Sequence, residues 1–299
     1  MQRNDLPLGR VGVWTNALDA QPAGQAQEAV GELEELGFGA VWIPESLGRE
    51  ALTNSMLLLA GGQHIVVATG IANLWARDPV AMANAHKTVT SAHPGRFLLG
   101  IGVSHRPTVE GVRGHRYDKP LSTTRAYLEA MDAAPFRGAP PPAEPVRVLA
   151  ALRPKMLELS ASHAAGAHPY FVPPEHTAGA RAILGQLVLL CPEQAVVLET
   201  DPGRARQIAR AHTKNYLALP NYVANLRRLG FGDGDVADAG SDRLVDAIVV
   251  WGDLDTVKAR VDAHLDAGAD HVCVQVLTDD PRALPMTEWR EVASALAMT

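Results

Sequence analysis

Two side chains that could move a proton during catalysis, Glu45 and His105, each stand just beyond a run of apolar residues. Glu45 follows Pro44 and the run at residues 39–43, and His105 comes two residues after the run at 97–103. A carboxylate can orient a ligand or transfer a proton, and a histidine titrates near neutral pH. We therefore predict Glu45 and His105 as catalytic residues, with His105 as the proton donor. An ion pair at Glu45 and a solvated loop position for His105 are the structural alternatives.

The segment at residues 94–105, PGRFLLGIGVSH, predicts a turn, a buried strand and a loop that approaches a ligand. Gly102 and Ser104 stand where this strand ends, and a glycine lets another group come close to the backbone. We therefore expect both residues close to a bound ligand. The Gly-x-Gly pattern also opens dinucleotide-binding loops, but His105 replaces their third glycine and Pro107 follows, so such a loop is disfavoured.

Aromatic and amide side chains follow two further predicted strands. Trp14 and Asn16 come at the end of the first strand, and Asn73 and Trp75 follow the third. Such a mixture, with few charges, suits a flat heteroaromatic ligand that has hydrogen-bonding edges. We predict Trp14, Asn16 and Trp75 as substrate contacts and Asn73 as a cofactor contact. Both tryptophans could also be ordinary core residues.

Residues 173–177, PPEHT, predict the start of a helix at the end of another strand. The first N–H groups of a helix have no partner within it, and the helix dipole favours negative charge there. We therefore expect an anionic group of a ligand near Glu175, His176 and Thr177. An ordinary helix start with no ligand is the alternative.

The composition argues against several classes of function. The 299 residues are 47% hydrophobic and carry a net charge of -6 without a long basic run, so nucleic acid is not an expected partner. Cys191 and Cys273 fit neither a disulfide framework nor a Cys-x-x-Cys metal site, and the strand ends lack closely spaced metal ligands. No signal peptide or membrane span is recognisable, so we expect a cytoplasmic protein without a metal.

The elements that must position these side chains alternate between strand and helix. This alternation predicts a single-domain (β/α)8 TIM barrel over residues 1–299, with an open doubly wound sheet as the alternative. The predicted strands are residues 10–15, 39–43, 65–71, 97–103, 146–151, 167–172, 195–199 and 271–277. Residues 106–119 are predicted as an insertion after strand 4. Residues 204–251 add helices after strand 7, with an exposed loop at 230–240.

Several short motifs, taken in order, carry a resemblance to a known family. They are residues 36–38 with 41–45, 68–71 with 77–79, 94–97 with 99–102, 168–170 with 174–177, and 193–195 with 200–202. With these motifs the chain resembles the luciferase-like monooxygenase superfamily, in particular its F420-dependent oxidoreductases of the actinobacterial kind. The similarity covers nearly the whole chain, and PGRF followed by LGIG is its most characteristic part.

The resemblance implies a TIM barrel that binds a flavin or deazaflavin across its mouth. It implies a non-prolyl cis peptide bond behind the ring, which would be Gly70–Ile71 in this chain. It also implies that the cofactor phosphate lies near residues 175–177, and that Ser104 and His105 flank the ring or its tail. Such proteins act on small-molecule substrates, and we expect a homodimer.

One position departs from part of that family. Sugar-phosphate dehydrogenases of the family carry a histidine just after the acidic residue of strand 2, where this chain has Ser46 after Glu45. The resemblance therefore favours hydride exchange between F420 and another small organic substrate. An FMN-dependent monooxygenase and a catalytically silent flavin-binding relative are the alternatives.

Overall fold

A computed structural model describes residues 6–296, and a parallel sheet of eleven strands lies at its centre. The strands are β1 (Val11–Trp14), β2 (Ala40–Ile43), β3 (Val66–Thr69), β4 (Ala72–Asn73), β5 (Phe97–Gly102), β6 (Val146–Ala150), β7 (Gly166–His168), β8 (Leu189–Leu190), β9 (Glu193–Val197), β10 (Val249–Trp251) and β11 (Val272–Val276). The predicted α/β class is confirmed, and every strand pair is parallel.

Helices connect the strands. They are α1 (Ala23–Glu35), α2 (Ala51–Leu59), α3 (Pro79–Ala92), α4 (Pro120–Asp132), α5 (Pro154–His163), α6 (Pro174–Leu184), α7 (Pro202–Leu217), α8 (Pro220–Arg228), α9 (Asp233–Val236), α10 (Asp242–Ile248), α11 (Leu254–Asp266) and α12 (Met286–Ala295). Asp78 and Asp201 cap the first turns of α3 and α7, where each precedes a proline. No helix within residues 6–296 is long and apolar enough to cross a membrane.

The strand order is β10-β9-β11-β1-β2-β3-β5-β6-β7-β8, with β4 paired to β5. The segment that holds β8 and β9 contacts β7 on one side and β11 on the other. The Cys191 amide donates to Ala167 of β7, and the Cys273 amide of β11 donates to Pro192. The parallel sheet is therefore TIM-barrel-like, and residues 189–197 form hydrogen bonds with both β7 and β11.

The structure differs from the sequence prediction at several elements. The sixth strand ends at His168 and not at residue 172, because Pro169 has no N–H to continue the ladder. The short strand β8 was not predicted. Strand β10, which pairs with β9, was not predicted either, because it lies within residues 204–251, where helices were expected. The insertion after β5 contains a π-helix over Pro107–Val112. The predicted loop at 230–240 contains the short helix α9.

Loss of hydration lowers the pKa of several buried or partly buried histidines, and the shift is large for five of them. The pKa falls to about 3 for His86 and His264, and to about 4 for His168, His212 and His271. Burial has the opposite effect on the carboxyl of Glu193, whose pKa rises to about 8. At neutral pH these five imidazoles are uncharged, and Glu193 is largely protonated.

Candidate active site

The C-terminal ends of the strands open into a cavity of about 380 Å³. Its floor and walls come from the ends of β1, β2, β5, β6 and β7 and from the turn after β3. Helices α7 and α8 cover it with Asn215, Tyr216, Leu219, Asn221 and Tyr222. Seven of the residues predicted for the site line this cavity. They are Trp14, Glu45, Gly70, Ile71, Gly102, Ser104 and His105.

Gly70 and Ile71 form part of the cavity wall, and the peptide bond between them is cis, which confirms that prediction. The indole Nε1 of Trp14 donates to the Gly70 carbonyl at 3.3 Å. A Cβ atom at Gly70 would lie only 2.5 Å from that nitrogen. Glycine at this position therefore leaves the Trp14 indole in contact with the backbone and the surface beside it open.

The glycines of β5 serve the packing of the sheet. A Cβ atom at Gly100 would lie 1.9 Å from the Thr69 carbonyl oxygen, and one at Gly102 would lie 2.5 Å from the side chain of Ile71. The atoms that come close to these glycines therefore belong to the neighbouring strand β3 and to the turn after it, and not to a ligand. Gly102 still lines the cavity, whereas Gly100 does not.

Glu45 is buried, and both of its carboxylate oxygens are engaged. One accepts from the Asn73 amide at 2.7 Å. The other accepts from the Ala51 amide at 3.3 Å and forms an ion pair with Arg77. Arg77 also contacts Glu50 at 2.5 Å. The ion pair considered as an alternative for Glu45 is thus present, and the carboxylate orients the turn after β3.

Replacing Glu45 with glutamine is expected to lower the free energy of unfolding by about 2–4 kcal/mol. The amide removes one partner of a buried ion pair and places a donor where Glu45 now accepts from Asn73. Urea unfolding measures the change, and Glu50→Gln is the matched control because Glu50 is the more exposed partner of Arg77. Equal losses in the two variants would contradict this assignment.

His105 lies half-buried in the cavity wall. Its Nδ1 is 3.2 Å from the Asn221 amide oxygen, which can only accept, so Nδ1 carries the hydrogen and Nε2 remains free for a substrate. The Tyr222 ring lies beside it, with centroids 5.5 Å apart. Burial lowers the pKa of His105, and the contact with Asn221 partly offsets this effect. The imidazole is therefore neutral at neutral pH.

The other predicted residues near the mouth occupy different places. Asn16 lines a second cavity of about 340 Å³, which shares Trp14, Asn215 and Tyr216 with the first. Asn73 is buried behind Glu45, where its side-chain oxygen accepts from the Trp75 amide at 2.9 Å. Neither Asn73 nor Trp75 lines either cavity. The Trp75 indole instead donates to the Val103 carbonyl at 3.0 Å.

The predicted anion site at the start of α6 lies outside both cavities. Glu175 is exposed to solvent, whereas His176 and Thr177 are buried. His176 donates to the Leu152 carbonyl at 2.7 Å, and the Thr177 hydroxyl is 2.8 Å from Nδ1 of His264. The structure thus uses these two side chains inside the protein, and it does not bring them to the residues around His105.

Several cavity residues were not predicted as site residues. Arg153 stands at the start of α5 and lines the cavity. The Tyr170 hydroxyl is 2.8 Å from that of Tyr216 and donates to Gln275 at 2.8 Å. His168 and Tyr170 were noted only as part of a family motif. The strand boundary drawn at residue 172 placed them inside a strand and not at its end.

The described residues 6–296 contain no group of three or more His, Cys, Asp or Glu side chains that could hold a metal ion. The cavity combines an apolar floor, several aromatic rings, two histidines that each have a ring nitrogen without a described partner, and one arginine at its rim. Such a site can hold a flat ring, attract an anionic group and move a proton.

Comparison with known proteins gives consistent results. Residues 7–271 match the family model described as luciferase-like monooxygenase. A Mycobacterium tuberculosis protein, provisionally named a coenzyme F420-dependent oxidoreductase, is 27% identical over 90% of this chain and 94% of its own length.

Two solved structures show the same fold at low sequence identity. An F420-dependent secondary alcohol dehydrogenase in complex with an F420-acetone adduct aligns with a TM-score of 0.76 and 14% identity, covering 96% of this chain and 99% of the other. The oxygenating constituent of 3,6-diketocamphane monooxygenase from Pseudomonas putida, in complex with FMN, aligns with a TM-score of 0.66 and 17% identity. This alignment covers 96% of this chain and 98% of the other.

Proposed function

Because the chain belongs to the luciferase-like monooxygenase family, we propose that it is an oxidoreductase that exchanges a hydride between coenzyme F420 and a small organic substrate. The observation that carries this proposal is the cavity beside Gly70 and Ile71, which combines an open floor with a histidine that can transfer a proton. The F420-dependent name of the mycobacterial relative favours F420 over FMN.

We infer that the sheet closes into a single-domain (β/α)8 barrel. Its insertion follows β5, the fourth barrel strand, and its extra helices follow β9, the seventh barrel strand. The hydrogen bonds of residues 189–197 to both β7 and β11 support this closure. The insertion carries Thr108 and Tyr117 to the cavity, and the extra helices carry Asn221 and Tyr222. Both additions thus supply cavity walls that the strands alone would leave open.

The residues present fit a deazaflavin ring. Ile71 offers an apolar surface, and glycine at position 70 lets the Trp14 indole pack against the backbone of the cavity wall. Ser104 and His105 lie on the same wall, as expected for residues that flank the ring or its tail. The volume of about 380 Å³ falls within the range of ordinary cofactor sites.

The anionic tail of the cofactor is best placed at the start of α5. Arg153 precedes Pro154 there and lines the cavity, whereas Glu175, His176 and Thr177 do not. An arginine and the free N–H groups of a helix start attract phosphate together. We therefore move the proposed phosphate site from α6 to α5.

Arg153→Gln is expected to raise the dissociation constant of F420 by about tenfold, because a charge-assisted contact to an anion is lost. Fluorescence titration at low and high salt measures the effect, and salt should weaken binding to the wild type more than to the variant. Arg116, which is exposed and absent from the cavity wall, provides the control as Arg116→Gln. An unchanged Arg153→Gln affinity would contradict the placement at α5.

When bound, F420 would supply the ring carbon that takes up or releases the hydride. His105 would move the accompanying proton. In its neutral form Nε2 accepts a proton from a substrate hydroxyl, and in the reverse direction only the protonated ring donates. Asn221 holds the ring so that Nε2 and not Nδ1 faces the substrate.

Titration of the purified protein with F420 and with FMN, followed by fluorescence, tests the proposed function. Binding of F420 with reduction or oxidation of a small alcohol or carbonyl compound would support it. Binding of FMN with oxygen consumption would identify an FMN-dependent monooxygenase, for which the FMN-bound structural relative is the precedent. Tight binding without turnover on any substrate would identify a silent relative.

We also infer a cytoplasmic homodimer. The apolar side chains of Leu47 and Val112 are exposed, and Arg113 beside Val112 donates to the Ser46 carbonyl at 3.4 Å. These two neighbouring loops would supply part of the contact between subunits.

A further inference from the structure

His168 is fixed in one orientation at the end of β7. Its Nδ1 lies 2.7 Å from the Cys191 carbonyl oxygen, which can only accept, so Nδ1 carries the ring hydrogen. The ring stacks on Trp42, with centroids 4.5 Å apart and an angle of 18° between the planes. Nε2 therefore holds an unprotonated lone pair. Burial lowers the pKa of the ring to about 4, which keeps it neutral at neutral pH.

A second histidine packs against the same tryptophan, and both of its ring nitrogens form hydrogen bonds. His271 donates from Nδ1 to the Gly9 carbonyl at 2.9 Å, and its Nε2 accepts from the Trp42 indole at 3.0 Å. The Nε2 of His168 is equally buried, yet no described residue donates to it. A buried acceptor without a donor is costly, so this nitrogen requires an explanation.

The unpartnered nitrogen belongs to a residue of the cavity wall and lies close to Gly70. His168 lines the cavity, and a Cβ atom at Gly70 would lie 3.0 Å from its Nε2. That position would also lie 2.5 Å from the Trp14 indole nitrogen, so glycine here lets both rings come close to the backbone of the cavity wall. A ligand in the cavity that approaches Nε2 with an N–H or O–H group would supply the missing donor.

We propose that Nε2 of His168 accepts a hydrogen bond from a ring N–H or O–H of the bound cofactor and so fixes the position of the ring in the cavity. This inference rests on the proposed function and adds to it a binding residue at the end of β7. The donor is either the imide N–H that the F420 and FMN rings share or the ring hydroxyl that F420 alone carries.

Three variants of the full-length protein test the proposal. His168→Asn keeps an amide that can donate to Cys191 but removes the acceptor at the Nε2 position. His168→Gln is longer and can place an amide oxygen there. His271→Asn is the matched control, because it changes a buried histidine on the same tryptophan outside the cavity. Dissociation constants for F420 and FMN and the thermal unfolding midpoint are measured for each protein.

We expect His168→Asn to raise the dissociation constant at least about tenfold, whereas His168→Gln and His271→Asn stay within about threefold of the wild type. Weaker binding of both cofactors to His168→Asn assigns the donor to the imide N–H. Weaker binding of F420 alone assigns the donor to the ring hydroxyl. A folded His168→Asn protein with wild-type affinity overturns the role of His168 alone. A wild-type protein that binds neither cofactor overturns the proposed function together with this inference.

Discussion

His105→Ala is expected to lower turnover by about 10²-fold or more while the dissociation constant of F420 stays within about threefold. Removal of the imidazole leaves His168 in the cavity wall, and its pKa of about 4 makes it a poor proton donor near neutral pH. Both oxygens of Glu45 are engaged with Asn73, Ala51 and Arg77. The tyrosine hydroxyls are poor substitutes, since burial raises the pKa of Tyr170 and Tyr222 well above the ordinary value.

The pH profile separates a proton-transfer role of His105 from a packing role. The pKa of His105 is lowered, so its neutral form predominates above 6.5, the ordinary histidine value. Oxidation of a hydroxyl should therefore be fastest above that pH and should slow as the ring becomes protonated at lower pH. His105→Ala should lose this limb of the profile. Asn221→Leu, which removes the contact to Nδ1, should lower turnover at every pH but should keep the decrease in rate at low pH.

Steady-state rates and cofactor titrations across the pH range check both statements once a substrate is known. Normal turnover in a folded His105→Ala protein would show that another group, or a bound water, transfers the proton. A lost limb together with lost cofactor affinity would show that His105 mainly binds the ring.

The second large effect concerns stability at acid pH. Between about pH 6 and pH 5, the free energy of unfolding is expected to fall by about 5 kcal/mol per pH unit. Five histidines have a pKa of about 3 to 4 in the folded protein and near 6.5 when unfolded. Because their folded pKa is lowered, their contribution to stability is complete above pH 6.5 and is lost as the pH falls.

Glu193 opposes this trend by one proton. Its folded pKa of about 8 lies above the ordinary 4.5, so in this range the folded protein holds a proton that the unfolded chain has released. For these six groups together, unfolding therefore takes up a net of about four protons, each worth about 1.4 kcal/mol per pH unit. Burial also lowers the pKa of His93, His105 and His176, which adds to the slope in the same direction.

Urea unfolding at several pH values measures this slope. His86→Leu removes one of the five titrating rings at a site far from the cavity, and it should reduce the slope by about 1.4 kcal/mol per pH unit. Arg116→Gln, an exposed substitution, should leave the slope unchanged. A wild-type slope of about one proton or less would mean that most of these histidines are protonated in the folded state.

The sequence was most informative where one local signal decides the structure. Asp78 with Pro79 and Asp201 with Pro202 predicted two helix starts that the structure confirms, because a capping side chain and a proline act within one turn. Glu45 was correctly placed at the end of a strand. Its partner Arg77 was not identified, because the contact joins residues 32 positions apart.

The site was predicted less completely, for a physical reason in each case. Gly100 is a glycine because β3 lies against it, and such a contact between strands leaves no local trace in the sequence. Tyr222 reaches the cavity from α8, whose position depends on the packing of α7 and α10. His168 could have been placed at a strand end, because Pro169 stops the ladder. The predicted strand instead continued to residue 172, so His168 was not expected at a strand end.

The order of the strands also has a consequence for folding during synthesis. Strand β1 pairs with β2 on one side and with β11 on the other, and Val11 is the register partner of Val272. A growing chain that has not reached residue 272 therefore exposes one edge of β1, with its backbone N–H and C=O groups unpaired. Contacts between such distant residues form late, and until then the apolar edge can pair with another chain. A nascent chain of this protein thus depends on its last strand to protect its first from aggregation.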